Sequence, residues 1–321
     1  MVRKPAVTTR HVAVAAARPH DGSMLRLPAY RTLAAVSLCA ALVSCARLSR
    51  QADDDVVAAR QIASQGMESM RAGNWDHAET QFQQAVDTCD NDERVRSLYA
   101  ECLWRRGAQP EAIAQMSAAV KLSNRDPGLM VRLGEMSFAR GDTHRAGNLA
   151  AQAIATGQPL ASAYRLEGDV LRQEGHWRAA LASYHRALSI QESYPEVQMA
   201  VAEVYYQHGR YQRCLATLQS LSSAYGSGQQ PADLLYLEGL ACKSLGRHNL
   251  AALRLAGAEQ QGLHTPTLLY HLAESYYLAG NPADAQAAVQ RALELQPDHA
   301  EALQLAGRIS VAQQRMARRQ P

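Results

Sequence analysis

The sequence lacks the short motifs that mark common enzymes and metal proteins. Its six cysteines form no CxxC pair and have no spacing that suits zinc. It also contains no phosphate-binding loop and no HExxH, GxSxG or GxGxxG sequence. We therefore expect no catalytic residue, no metal site, no cofactor and no small-molecule substrate, and we predict that the protein is not an enzyme.

Residues that favour strands are also scarce. Only 2 of the 321 residues are Phe, and continuous runs of Val, Ile and Thr are hard to find. Ala, Leu, Gln and Arg, which favour helices, dominate the composition, and 47% of the residues are hydrophobic. This composition predicts a globular protein that is helical throughout.

The excess of positive charge belongs to one end of the chain. Residues 1–45 hold six basic residues and one acidic residue, whereas residues 46–321 hold 27 basic and 29 acidic residues. The larger part of the chain therefore lacks the net positive field that attracts nucleic acid. We expect no nucleic acid among its partners.

Residues 1–45 have the layout of a secretory signal. After Met24, two arginines precede an apolar stretch over Leu33–Val43. That stretch is much shorter than the roughly 20 residues that a membrane-spanning helix needs. Residues 1–23 fit a signal poorly because they move the apolar stretch far from the N-terminus, which favours Met24 as the true start.

The end of this segment resembles the lipobox of bacterial lipoproteins. Leu42 to Cys45 read Leu-Val-Ser-Cys, and the resemblance implies cleavage before Cys45 and attachment of diacylglycerol to its sulfur. The next residue is Ala46 and not Asp, which in a Gram-negative cell implies the outer membrane, with the body facing the periplasm. The alternative is an ordinary signal in which the cysteine stands by chance.

A glycine recurs through residues 59–299 at intervals of 34 residues, with a single interval of 37. If each glycine is position 15 of a unit, position 8 always holds Gly or Ala, and positions 20 and 27 hold Ala except in the fifth unit. Bulky side chains fill position 17 in some units (Trp75, Trp177, Tyr211) and position 24 in others (Phe82, Met116, Tyr184, Leu218). Because glycine ends helices well, each unit is predicted to be a helical hairpin.

The 34-residue unit, with small residues at positions 8, 20 and 27 and bulky ones at 17 and 24, resembles the tetratricopeptide repeat. The resemblance implies an all-α fold, a right-handed α-solenoid of seven helix-turn-helix units over residues 57–299. Residues 46–56 are expected to be a linker. Residues 300–321 are expected to be a capping helix and tail.

Two departures from the repeat stand out. The fifth unit carries Cys214 and Leu221 where the other units have alanine, and the three extra residues follow it, around Ser222–Pro231. There we expect a looser joint or a bend. Position 7 holds Glu167 and Glu238, where the family usually has Leu.

The resemblance also implies that the first helix of each unit lines a concave groove that holds ligands. Positions 5, 9 and 12 supply acids and aromatic rings to it, and the candidate partner-binding residues are Glu101, Trp104, Glu135, Phe138, Asp169, Glu203, Tyr206, Tyr236, Tyr270, Glu274 and Tyr277. Such a surface suits a segment that carries Lys or Arg. The alternative is that these side chains only solvate the groove and pack its rim. The basic clamp with which some cytosolic relatives hold a C-terminal carboxylate is missing.

These patterns together predict an exported, lipid-anchored scaffold for protein–protein interaction. It would assist the assembly of an envelope or outer-membrane complex, for example pilus or secretion machinery. The expected partners are other proteins, through extended or basic segments, and the membrane, through the N-terminal lipid. The alternative is an accessory protein that binds glycan or peptidoglycan through the aromatic row.

Overall fold

The computed structural model describes residues 51, 53–226 and 228–317, with side chains as far as Gln314. The leader and Cys45 lie outside the described residues. The described part contains helices and no strand. The first helix, α1, covers residues 53–71, and the others are α2 (Trp75–Thr88), α3 (Glu93–Arg105), α4 (Gln109–Leu122), α5 (Pro127–Ala139), α6 (Thr143–Ala155), α7 (Ala161–Gln173), α8 (Trp177–Ile190), α9 (Pro195–Gln207), α10 (Tyr211–Ser222), α11 (Ala232–Ser244), α12 (His248–Gln260), α13 (Pro266–Leu278), α14 (Pro282–Leu295) and α15 (Ala300–Ala317).

The helices follow the sequence period closely. From the second unit on, the first helix begins at position 1, and in all seven units the second helix begins at position 17. The glycine at position 15 lies in the turn with a positive φ, from 69° at Gly209 to 86° at Gly107. A side chain would strain that backbone, and this explains why glycine marks the period.

Side chains at the boundaries between units start several of the first helices. Pro127, Pro195 and Pro266 are first residues, where the missing N–H of proline costs nothing. Asp126 accepts a hydrogen bond from the backbone N–H of Leu129, as an N-cap does. These boundary residues therefore separate the units by starting the next helix.

From Ala58 onward the helices form one compact unit, and each helix packs mainly on its neighbours in sequence. The chain is an all-α helical repeat solenoid. Among the described helices, none is both long and apolar enough to cross a bilayer.

Small residues at position 8 of the first helix receive large residues from position 24 of the second. A Cβ added to Gly66 would lie 3.0 Å from Phe82 Cζ, and one added to Gly168 would lie 2.5 Å from Tyr184 Cε1. Both aromatic rings are fully buried. Glycine is therefore needed at Gly66 and Gly168, because a ring from the second helix occupies the space that a side chain would take.

The last helix, α15, has the pattern of a first helix. Ala302, Leu305 and Ile309 are buried in the core that α13 and α14 share. A Cβ added to Gly307, at position 8, would meet nothing within 4 Å, and Leu303 is 51% exposed. In α15, no described residue covers the Gly307 side, on which the other units seat a second helix.

The irregular unit has a longer exit. The linker between α10 and α11 covers residues 223–231, whereas the other linkers between units have four or five residues. Cys214 and Leu221 are buried, so both replacements for alanine serve the core. Gln261 Nε2 donates to the Gly228 carbonyl at 2.8 Å and fastens this linker to the end of α12. The looser joint stays a prediction.

Candidate functional site

The first helices α3, α5, α7, α9, α11 and α13 carry all eleven predicted partner-binding residues. Each of the eleven is partly buried. Pairs three residues apart, such as Glu101 and Trp104, lie on one helix face. The rows predicted from positions 5, 9 and 12 thus combine contact with neighbouring helices and access to solvent. Their role in binding stays a prediction.

Five charged side chains join α3, α5 and α7, and we name them the ion-pair chain: Glu101, Arg132, Glu135, Arg165 and Asp169. Arg132 Nη2 lies 2.7 Å from Glu101 Oε2, and its Nη1 lies 3.1 Å from Glu135 Oε2. Arg165 donates to Glu135 and, at 2.9 Å, to Asp169 Oδ2. The acids expected to attract a partner's cations are therefore neutralised largely by the protein's own arginines.

Two further bridges extend this arrangement along the first helices. Arg172 Nη1 lies 2.6 Å from Glu203 Oε2 and joins α7 to α9. Lys243 Nζ lies 2.7 Å from Glu274 Oε2 and joins α11 to α13. Between α9 and α11, the described residues form no salt bridge. The interruption coincides with the long linker.

The basic partners were missed because they do not share one position of the repeat. Arg132 stands at position 6, Arg165 at position 5, and Arg172 and Lys243 at position 12. A signal for them does exist in the sequence. Each of the four bridges between first helices joins an acid and a base that are 30 or 31 residues apart.

Tyrosine hydroxyls support the ion-pair chain from the second helices and the linkers. The Tyr184 hydroxyl donates to Asp169 Oδ1 at 2.7 Å, and burial together with the Asp169 charge raises the pKa of Tyr184. Arg165 Nε donates to the Tyr194 hydroxyl at 3.0 Å. Because Tyr184 also fills the space above Gly168, core packing and groove electrostatics depend on the same ring.

A mixed cluster occupies the first helices of the last units. Lys243 Nζ lies 2.9 Å from His271 Nδ1, and the Tyr270 and His271 rings are 5.0 Å apart. Burial and the neighbouring Lys243 lower the pKa of His271 to about 4. The imidazole is therefore neutral at pH 7 and can accept the lysine's hydrogen bond.

A groove of about 530 Å³, the junction groove, lies where α9, the long linker and α11 meet. Three carboxylates and several apolar side chains line it: Glu196, Met199, Glu203, Leu221, Tyr225, Pro231, Asp233, Leu234, Tyr236 and Leu237. No described basic residue is in this lining. Glu203 is paired with Arg172, whereas Glu196 and Asp233 form no salt bridge with any described residue. Carboxylates free of internal cations thus border an apolar groove.

A second groove, of about 370 Å³, lies between α1 and α3 and has the opposite charge. Met67, Met70 and Leu98 give it an apolar lining, and Arg71 and Arg105 carry its positive charge. Glu101 also lines it but is paired with Arg132. The row of first helices is therefore basic near one end and acidic at the junction.

The two glutamates at position 7 are accommodated differently. Glu167 accepts a hydrogen bond from the Ser183 hydroxyl at 2.7 Å. Glu238 is 1% exposed, and its carboxylate lies 3.1 Å from Arg254 Nε but forms no hydrogen bond within the described residues. Burial raises the pKa of Glu238, and Arg254 opposes that shift only in part. The junction therefore also contains an unfavourably buried acid.

The four described cysteines are free thiols. Cys102, Cys214 and Cys242 are buried and Cys89 is partly buried. Burial raises the pKa of Cys214 to about 12, so its thiol stays protonated. Within the described residues, no three His, Cys, Asp or Glu side chains are grouped as a metal site requires.

The comparisons with known proteins agree with the repeat architecture. A family model described as TPR repeat matches residues 168–209, and two described as tetratricopeptide repeat match residues 64–127 and 266–299. Comparison with curated proteins gives no significant match. The chain is a tetratricopeptide repeat protein.

Solved structures show the same fold at low sequence identity. PilW, described as a widely conserved type IV pilus biogenesis factor, superposes with a TM-score of 0.58 at 17% identity, over 63% of this chain and 93% of PilW. A tetratricopeptide repeat protein from Parabacteroides merdae gives 0.56 at 12% identity, over 78% and 98%. Pseudomonas aeruginosa PilF gives 0.50 at 13% identity, over 80% and 99%. Repeat proteins of this kind are typically non-enzymatic scaffolds that bind other proteins, and this chain has that architecture.

Proposed function

We propose that the protein is a lipid-anchored scaffold that assists the assembly of an envelope or outer-membrane complex, for example pilus or secretion machinery. The role is one of holding protein partners and includes no catalysis. The observation that carries it is the row of partly exposed acids and aromatic rings along six successive first helices, because such a row can follow an extended segment of a partner.

The envelope location rests on the leader and on a likeness of fold. Leu42 to Cys45 resemble a lipobox, and a single acyl chain binds membranes only weakly, whereas the several chains of a lipoprotein anchor would hold the protein stably. The fold is similar to that of PilW, a pilus biogenesis factor. That likeness supports the choice of an assembly role among the many roles that one fold can serve.

Metabolic labelling tests the anchor. Cells that express the full chain are grown with an alkyne-bearing palmitate and separated into membrane and soluble fractions. We expect label and membrane association in the wild type, and loss of both in Cys45→Ser, with Cys39→Ser as the matched control. An unmodified N-terminus upstream of Cys45 in membrane fractions would contradict lipidation.

Crosslinking in cells, followed by affinity purification of the full chain, tests the scaffold role. We expect recovery of at least one envelope protein in amounts that exceed those of a tag-only control. Failure to recover any protein from crosslinked membranes would contradict the proposal, whatever the result for Cys45.

An accessory protein that binds glycan or peptidoglycan is a second candidate. The rings of Trp104, Phe138, Tyr206 and Tyr277 favour it, because all are partly exposed on the row of first helices. Sedimentation with purified sacculi separates the two functions. A protein scaffold stays in the supernatant, whereas a peptidoglycan-binding protein moves to the pellet.

A further inference from the structure

We propose that the junction groove is the docking site for a partner-protein segment that carries a bulky apolar side chain flanked by Lys or Arg. The inference rests on the proposed scaffold function and names the place and the chemistry of one contact. It differs from the prediction that the acids of all these first helices meet a basic segment, because most of those acids are already paired inside the chain.

The junction groove carries two acidic side chains that no described basic residue pairs with. Glu196 and Asp233, each at position 2 of its unit, line the groove and form no salt bridge with the described residues. At the same position the second unit carries Arg94, which forms no salt bridge with the described residues, whereas Arg60 of the first unit is paired with Asp92. A basic segment is therefore attracted to the fifth and sixth units and repelled from the second.

The apolar part of the groove arises from the departures from the repeat. Leu221 replaces the alanine of the other units, and the long linker adds Tyr225 and Pro231 to the lining. Met199 and Tyr236 are partly buried, so their side chains are accessible to an inserted group. The volume of about 530 Å³ lies in the usual range of ligand pockets, roughly 300–1,000 Å³. A regular unit would supply neither the linker residues nor the larger side chain.

The two grooves on the row of first helices differ in the segment that they accept. Both are partly apolar, so apolar contact alone would not choose between them. Arg71 and Arg105 repel a basic segment at the first groove, whereas Glu196 and Asp233 attract it at the junction. The chemistry of the junction therefore selects a cationic, hydrophobic segment.

Binding of synthetic peptides to the full chain tests this inference directly. The probe is a fluorescein-labelled dodecapeptide with a central Phe-Leu pair and two lysines on each side, and fluorescence anisotropy measures its affinity. We expect saturable binding that weakens with salt. Peptides with the lysines changed to Glu, or with Phe-Leu changed to Ser-Ser, should bind at least tenfold more weakly.

Paired charge reversals locate the site. The double variant Glu196→Lys/Asp233→Lys should lose at least a factor of about ten in affinity for the lysine peptide. The control Glu111→Lys/Glu294→Lys makes the same change in net charge at two exposed acids on α4 and α14 that form no salt bridge with the described residues, and should stay within about twofold. Thermal unfolding followed by circular dichroism verifies that both are folded. The neutral double variant Glu196→Gln/Asp233→Asn should have an affinity between those of the charge reversal and the control. It replaces the charge reversal if that variant does not fold.

Two results would overturn the docking site. One is an equal loss of affinity in the junction and control variants, and the other is the absence of saturable binding by the lysine peptide. The scaffold function is judged separately. If crosslinking in cells recovers the same proteins with wild type and Glu196→Lys/Asp233→Lys, the scaffold holds but this groove is not its docking site. If it recovers none, the proposed function itself fails.

Discussion

The first helices α3 to α9 and the pair α9 and α11 obey one repeat pattern but are joined in different ways. Between α3 and α9, arginines bridge every step, through Arg132, Arg165 and Arg172. Between α9 and α11, the described residues form no such bridge, and the linker is four or five residues longer than elsewhere. In the first region the charged side chains pair with one another and join the helices. In the second region two acids face a groove and form no salt bridge with the described residues.

Residues at the same repeat position therefore need not have the same role. Acids at position 9 look equivalent in the sequence, yet Glu135 contacts two arginines and Glu203 one. Part-buried ion pairs fix geometry, whereas unpaired carboxylates beside apolar surface can be satisfied by another molecule. Variants in the two regions test this contrast.

The largest effect is expected for Gly168→Ala within the bridged region. The new Cβ would lie 2.5 Å from the Tyr184 ring, and moving that ring disturbs the hydroxyl that donates to Asp169. We expect a loss of about 2–3 kcal/mol in the free energy of unfolding, measured in urea. The matched change Gly307→Ala meets no atom within 4 Å and should stabilise by about 0.5–1 kcal/mol, since Ala is the better helix former. Equal effects of the two would refute the packing argument.

Arg165→Met removes the centre of the ion-pair chain. It leaves Glu135 and Asp169, which are 25% and 14% exposed, with one basic partner fewer. We expect about 2 kcal/mol of destabilisation in urea unfolding, less than for a fully buried pair because of solvent screening. Arg186→Met, at an exposed site on α8, should change stability by less than about 0.5 kcal/mol. A double-mutant cycle of Arg165→Met and Glu135→Gln that gives no coupling energy would contradict the ion-pair chain.

Glu238→Leu tests the buried acid at the junction. Because burial raises the pKa of Glu238 above 4.5, the folded protein binds this proton more tightly than the unfolded chain does. The contribution of Glu238 to stability is therefore fully present below pH 4.5 and is lost as pH rises through the raised pKa. In urea unfolding, the free energy of unfolding of Glu238→Leu should exceed that of the wild type by about 1–2 kcal/mol at pH 7 and by little at pH 4.

Glu167→Leu is the control at the same repeat position. Its carboxylate accepts a hydrogen bond from Ser183, so the change should give no comparable gain at pH 7. If the free energy of unfolding of Glu238→Leu rises by the same amount at both pH values, better packing alone explains the rise. That result would contradict the role of the Glu238 charge.

The smallest effect is expected for Gln261→Ala, which removes the hydrogen bond to the Gly228 carbonyl. The free energy of unfolding should fall by only about 0.5–1 kcal/mol. Limited proteolysis should nevertheless cut the linker between α10 and α11 faster. Unchanged cleavage would mean that this hydrogen bond does not hold the linker.

Most of the fold was predictable because glycine at a fixed interval marks each hairpin. Positive φ at position 15 demands glycine, and that demand made the helical hairpin of each unit readable from the sequence. The capping helix was predictable too, since Ala302 and Leu305 repeat the core pattern without a following hairpin.

The candidate site was only partly predictable. The acids at position 9 were found because they share a row, but their partners Arg132 and Arg165 were missed because long side chains reach them from different positions. The junction groove was not predicted as a pocket, since its shape depends on how the linker carries Tyr225 against α11. An irregular spacing signals that the repeat is interrupted, but it does not show what the interruption encloses.

Site-specific photocrosslinking in cells tests whether a partner protein docks in the junction groove. Benzoylphenylalanine replaces Tyr236 in the junction groove or, as the control, Leu253, which is 64% exposed on the second helix α12. We predict that illumination crosslinks a protein at Tyr236 and not at Leu253, and that Glu196→Lys/Asp233→Lys abolishes that product. A product of equal yield at both positions, or none at Tyr236, would contradict the account.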